Sequence, residues 1–206
     1  MRNSEVLISR IWGLFLHPNK EWELIQREQA NRSRPYLIYL LLLAAIPPLA
    51  GYIGATQTGW QIGDGAITKL TVESTIPLCI AAYLAIVIGI YATGIAINWM
   101  GATYTDLDKG DFSGLGLAIY SSIPLLVLSV VGVYPVIWLG LITLVVAACY
   151  SAYLLYKGVP ILFQIPPDRG VMFASAILTF ALVIAVVLII STVIIWAVGF
   201  SPVFTN

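Results

Sequence analysis

Tyr150-Ser151-Ala152-Tyr153-Leu154-Leu155-Tyr156-Lys157-Gly158-Val159-Pro160 closes an apolar run that starts at Tyr134 and contains no Asp, Glu, Lys, Arg or His before Lys157. A helix across a hydrocarbon core takes about 20 such residues. Tyr150, Tyr153 and Lys157 recur at i, i+3 and i+7, so on a helix they share one face, with the ammonium last. The order predicts a helix end. A lysine in the last turn meets the negative end of the helix dipole, Gly158 takes the left-handed position after the helix, and Pro160 does not extend it. The same groups make the candidate lipid or partner contact: Tyr153, Tyr156 and Lys157, with Arg169 in the segment beyond.

Composition extends this reading to the whole chain. Of 206 residues, 60% are hydrophobic and 10% charged, against about 25% charged in soluble domains, and the mean hydropathy is +0.94. The fold class is an all-α polytopic membrane protein, and the length admits five or six spans. A net charge of zero and a pI near 6.5 leave no basic footprint for nucleic acid. Cys79 and Cys149 lie inside apolar runs and read as small hydrophobes, with no disulfide framework or metal site. The first 35 residues mix six Lys/Arg with four Glu and carry no continuous apolar signal segment, so the first span is expected to act as its own insertion signal.

Moving outward from the opening stretch, the spans are expected at about 36–55, 76–100, 115–131, 134–156 and 171–198, forming a membrane domain over 36–206. An amphipathic helical region, 1–35, precedes them. In it, Ile8, Ile11, Trp12 and Phe15 oppose Glu5, Ser9 and Gly13, and Trp22, Ile25 and Gln29 share a face of a second helix after Pro18. Trp12 and Trp22 suit headgroup depth. Pro47 and Pro48 are expected to kink the first span by freeing the carbonyls of Leu43 and Ala44, and Pro77 sits in the first turn of the second. Pro124 removes the donor to the carbonyl of Tyr120 in the third, where Ser121 and Ser122 can supply hydroxyls. A tight hairpin at Gly132-Val133 joins the third and fourth spans, and the segment around 161–170 is expected along the interface.

Polar residues near the membrane are few. The glycine-rich loop 54–65, with Gln57, Trp60 and Asp64, joins Asn98 as a candidate polar loop or cavity. It is not a phosphate-binding loop, because no Gly-Lys-Ser/Thr follows. Asp106, Asp108 and Asp111 beside Lys109 miss the EF-hand spacing, since glycine falls fifth and no glutamate stands twelfth. The single histidine, His17, precedes a proline, and no nucleophile with a base, carboxylate pair or ligand cluster can be assembled. The expectation is a protein that is not an enzyme, with no catalytic, cofactor or metal residues. The partners left are membrane lipids, a cytoplasmic protein and a second copy of the chain.

Charge sets the orientation. Six Lys/Arg precede the first span, and with five spans Lys109, Lys157 and Arg169 join them, leaving only Lys69 on the other side. The positive-inside rule then places the N-terminus in the cytoplasm and the C-terminus in the periplasm or outside the cell.

Four motifs together resemble the Yip (Ypt-interacting protein) domain family, in particular its bacterial inner-membrane branch. They are Leu14-Phe-x-x-Pro18-x-x-x-Trp22, Gly54-x-Thr-Gln-x-Gly-Trp-x-x-Gly-Asp-Gly65, Ala118-Ile-Tyr-Ser-Ser-Ile-Pro124, and Tyr134-Pro135-x-x-Trp138 with Tyr153-Leu-Leu-Tyr-Lys-Gly-Val-Pro160. The resemblance implies five transmembrane helices and a cytoplasmic N-terminal region. Eukaryotic members are associated with Rab-type GTPases, but their Asp-Leu-Tyr-Gly-Pro motif is absent here, the nearest text being Thr105-Asp-Leu-Asp-Lys109. The first expectation is a membrane scaffold or adaptor for cytoplasmic partners or lipids. The alternative is a transporter or lipid-handling protein with a cavity between kinked helices.

Overall fold

Two amphipathic helices, α1 (Arg2–Leu16) and α2 (Pro18–Gln29), open the chain. Proline suits the first turn of α2, where an N–H has no helical partner anyway. The backbone stays bonded through the corner, with His17 N–H donating to Gly13 O at 2.7 Å and Glu21 N–H to His17 O at 3.1 Å. Leu14, Trp22 and Ile25 are fully buried. Trp22 therefore packs inside the protein instead of facing lipid headgroups, whereas Trp12 is exposed. The computed structural model describes residues 2–29, 35–61, 66–104, 114–197 and 202–205. Asp64 and the loop carrying Asp106, Asp108, Lys109 and Asp111 lie outside them.

Among the described residues, five helical segments are long and apolar enough to cross a membrane: Tyr36–Thr58, Val72–Ala102, Gly114–Val133, Ile137–Phe163 and Pro167–Ile194. The first is broken, not bent. Pro47 and Pro48 cannot donate to the carbonyls of Leu43 and Ala44. The chain accordingly stops α3 (Pro35–Ala44), turns at Ala45, whose N–H reaches only Leu42 O at 3.4 Å, and restarts as α4 (Ile46–Ile53) with the prolines in its first turn. A π-helical turn, Gly54–Thr58, completes the crossing, closed by Gly59 N–H on Gly54 O at 2.8 Å. Gly54 is needed for contact and not for conformation: its backbone is ordinary helix, at φ −60° and ψ −45°, and a Cβ there would collide with the carbonyl oxygen of Gly132.

The second span, α5 (Val72–Tyr104), starts four residues before the expected 76. Thr71 caps it: its Oγ1 accepts from Ser74 N–H at 3.3 Å, and its carbonyl from Thr75 N–H at 3.0 Å. Pro77 thus lies beyond the first turn. The third span, α6 (Gly114–Leu128), runs uninterrupted through Pro124, without the interruption seen at Pro47-Pro48, and tightens into a 3-10 turn, Ser129–Val133. Ser122 Oγ donates to Ala118 O at 2.7 Å. Ser121 Oγ, expected to help at the loosened turn, has no hydrogen-bond partner among the described residues.

The largest departure concerns the stretch that opened the reading. The fourth span, α7 (Ile137–Phe163), begins three residues after Tyr134 and continues through Lys157, Gly158 and Pro160. Its left-handed cap is Gln164, at φ 51° and ψ 38°, whose N–H returns to Pro160 O. The apolar segment after Pro160 is thus the last turn of a transmembrane helix, and Pro167 already starts α8 (Pro167–Ala197). No separate interfacial segment stands between them. Lys157 is six residues from the end of α7, about 9 Å along the axis.

α5, α6, α7 and α8 form a ring in which α5 and α7 each pack against both α6 and α8, while α3 packs on α5 and α6, and α2 on α7. α6 is the most enclosed helix, burying Leu117, Ile119, Ile123 and Leu126. The outward faces of α7 and α8 are apolar, with Ile142, Val145, Val186 and Ile189 exposed, which suits hydrocarbon and not water. At the end far from α1 and α2, strand β1 (Lys69–Leu70) pairs antiparallel with β2 (Phe204–Thr205).

Candidate functional site

The N-terminal helices are fastened to the transmembrane bundle at three places. The first is a helix end: Gln26 Nε2 donates to Ile161 O at 2.8 Å. Ile161 is in the last turn of α7, where carbonyls lack helical donors, so Gln26 acts as a cap supplied from another helix. The second is Tyr150, whose hydroxyl lies 3.2 Å from Leu14 O and 3.0 Å from Phe15 O. These are terminal carbonyls of α1, and the Tyr150 ring stacks on Phe15 with centroids 5.4 Å apart. Tyr150 is 13 residues from Phe163, about 20 Å along α7, so the α1–α2 corner sits well down the bundle wall.

The third fastening is the Trp22 indole. It is completely buried, meets Tyr120 edge-on at 6.2 Å, and covers Gly158, where a Cβ would come within 2.7 Å of it. Glycine at this point of α7 makes room for the ring. Trp22 Nε1 has no hydrogen-bond partner among the described residues, so the seat is held by apolar contact. Beside it, Arg10 Nη1 and Glu21 Oε1 are 2.5 Å apart with both side chains largely buried, pairing α1 with α2. Gly13 clears space for that carboxylate, since a Cβ there would collide with Glu21.

Of the candidate contact residues, two are brought together. Lys157 is exposed, and its Nζ lies 5.9 Å from the Tyr153 ring centroid, within cation–π reach. Tyr153 in turn is 5.6 Å from Tyr150. Phe15, Tyr150, Tyr153 and Lys157 thus form an aromatic row that ends in a cation. Tyr156 faces elsewhere: its hydroxyl is 2.7 Å from Ser175 Oγ on α8. Arg169 is exposed in the first turn of α8, beside Gly170, which packs against Pro160.

The polar group of Gln57, Trp60 and Asn98 does not converge on one cavity. Asn98 Oδ1 accepts from Gly114 N–H at 2.7 Å, capping α6. It is 26 residues into α5, about 39 Å from the end where the other two lie. There, Lys69 Nζ donates to Gln57 O at 2.5 Å, Thr58 Oγ1 donates to Val133 O at 2.9 Å, and Trp60 bridges to Thr68 and meets Phe204 edge-on. The described part of the loop therefore caps the bundle. Arg10, Glu21 and Gln26 were missed in the sequence because each reads as an ordinary polar position on an amphipathic helix.

These features define a class: a five-span helical membrane protein whose N-terminal amphipathic pair is fixed to the bundle. The Yip1 domain matches residues 12–202, and the chain belongs to that family. The inner membrane protein YohC of Escherichia coli strain K12 is 36% identical over 193 residues, covering 94% of this chain and 98% of the relative. YohC of E. coli O6:H1 strain CFT073 gives the same identity and coverage. No solved structure matches the chain.

Proposed function

We propose that this Yip family protein is a scaffold of the bacterial inner membrane, without catalysis of its own. Its N-terminus faces the cytoplasm and its C-terminus the periplasm or exterior. α1 and α2 form a fixed platform for a cytoplasmic protein, while Lys157 and Arg169 meet anionic headgroups. The observation that carries this reading is the triple attachment of α1 and α2 through Gln26, Tyr150 and Trp22. Helices that only rested on lipid would need no such seats, and a preorganised surface loses less entropy when a partner binds. The exposed face of α2 carries Lys20, Glu23 and Arg27. The naming of the E. coli relative as an inner membrane protein supports the location.

A photo-crosslinking amino acid placed at Lys20, Glu23 or Arg27 in cells tests the platform. Discrete protein adducts are expected at these positions and not at Ile67 on the opposite end. Adducts no stronger than those at Ile67 would refute it. A transporter or lipid-handling role is the second reading, favoured by a cavity of about 200 Å³ among α5, α6, α7 and α8.

A further inference from the structure

The ring of four helices is not filled at its centre. A cavity of about 200 Å³ lies between them, room enough for several waters or one small molecule. One end is closed, where Ile97, Leu155 and Ile177 are buried. Elsewhere its lining residues Ala148, Leu182 and Ala185 are exposed on the lipid-facing side. Two serines stand in the wall near the closed end, Ser121 on α6 and Ser151 on α7. Their relative exposures are 7% and 8%, and neither hydroxyl has a hydrogen-bond partner among the described residues. Serines in transmembrane helices ordinarily donate to the carbonyl four residues back, as Ser122 does to Ala118 and Thr93 to Gly89 at 2.8 Å. Two hydroxyls so placed leave hydrogen-bonding capacity free in one apolar chamber, and rotation about a single bond turns each from its own helix toward the chamber.

We propose that this chamber is a binding site for an uncharged aliphatic alcohol, with its hydroxyl between Ser121 and Ser151 and its chain directed toward Ala148 and Leu182. Among the described residues the lining contains no Asp, Glu, Lys, Arg or His, so a carboxylate or amine would bring a charge without a counter-charge into a low dielectric. An alkane would fill the space and leave both serines unpaired. A hydroxyl donates one hydrogen bond and accepts others, as each serine does, and alanine and leucine walls suit a hydrocarbon body. The ligand is either a short-chain alcohol enclosed whole or a lipid with a free hydroxyl, such as a diacylglycerol, whose chains leave through the mouth. The site does not depend on the scaffold role. It supplies the second reading with a ligand class, and binding without passage across the bilayer would remove the transporter while leaving the site.

The test uses the full chain in phosphatidylethanolamine–phosphatidylglycerol nanodiscs, photolabelled with a diazirine-bearing octanol and mapped by peptide mass spectrometry. Adducts are expected on α7 and α8 around Ala148, Ala152 and Leu182. Excess 1-hexanol or excess dioctanoylglycerol, at least one of the two, should displace the label, and hexane or hexanoate should not. Displacement by dioctanoylglycerol but not hexanol identifies the lipid source, and the reverse the short alcohol. The Ser121→Ala/Ser151→Ala variant should fold as well as the wild type, because it deletes unpaired groups, and should lose alcohol affinity about fivefold. Ala152→Phe, which fills the chamber, should abolish these adducts while labelling of the outer face of α7 persists. Displacement by hexane as great as by the better of the two alcohols, labelling no denser in the chamber than on the lipid face, or unchanged alcohol affinity in the folded double variant would each overturn the proposal.

Discussion

Replacing Gly158 by alanine should loosen α2 from the bundle. The new Cβ would stand 2.7 Å from Trp22 Cε2, 2.8 Å from Trp22 Cζ2 and 3.0 Å from Leu117 Cδ1, where carbon atoms prefer about 3.5–4.0 Å. The indole is rigid and fully buried, so it cannot yield as a flexible chain end would. Overpacking a filled core costs roughly 1–3 kcal/mol, and a collision with two ring atoms and a methyl belongs at the upper end. The substitution also regains about 0.8–1.0 kcal/mol, because alanine favours a helix over glycine. The balance is a loss of about 2 kcal/mol, a drop in apparent Tm of roughly 4–8 °C for a chain of this size. The assay is thermal unfolding in nanodiscs, with limited proteolysis of α1 and α2 as a local readout. Trp22→Ala alone should cost roughly 3–5 kcal/mol. In that background the penalty of Gly158→Ala should vanish or reverse, since the ring it strikes is gone. A Gly158→Ala protein more stable than the wild type, or an equal penalty with and without Trp22, would refute the seat.

Tyr150→Phe keeps the ring stacked on Phe15 and removes only the hydroxyl that meets Leu14 O and Phe15 O, so it should cost about 1 kcal/mol and raise protease sensitivity at the α1–α2 corner; unchanged sensitivity would show those carbonyls to be served otherwise. Lys157→Arg should preserve insertion but weaken retention of anionic lipid, and Lys157→Gln should weaken it further, because a planar fork does not match a compact ammonium set beside Tyr153. Equal retention in all three, by mass spectrometry at matched recovery, would leave Lys157 as a snorkelling cation. A cytoplasm-dependent reporter should give signal when fused before Ser4 and none when fused after Asn206; signal from the C-terminal fusion would overturn the orientation.

Five spans were legible in the sequence, since an apolar run of about 20 residues has few alternatives to a membrane helix. That Gln57 and Asn98 share no cavity was legible there too, because Gln57 follows the first span and Asn98 closes the second, which alternation puts at opposite ends. Where α7 ends was not legible. Lys157-Gly158-Val159-Pro160 spells a helix stop by local rules, yet glycine serves equally to end a helix or to admit a neighbour. Trp22, far away in sequence, decides for the second use by filling the space over Gly158, while Gln26 caps the carbonyl of Ile161 in the turn beyond Pro160. Pro47-Pro48 and Pro124 likewise look alike on paper, but two consecutive missing donors broke one helix and a single one did not interrupt the other. Ser121 and Ser151 belong to different helices, and each reads singly as a tolerated hydroxyl. Only the packing of the four-helix ring places both, unpartnered, in the wall of one chamber, because burial and partnership are properties of the assembled neighbours and not of the residue.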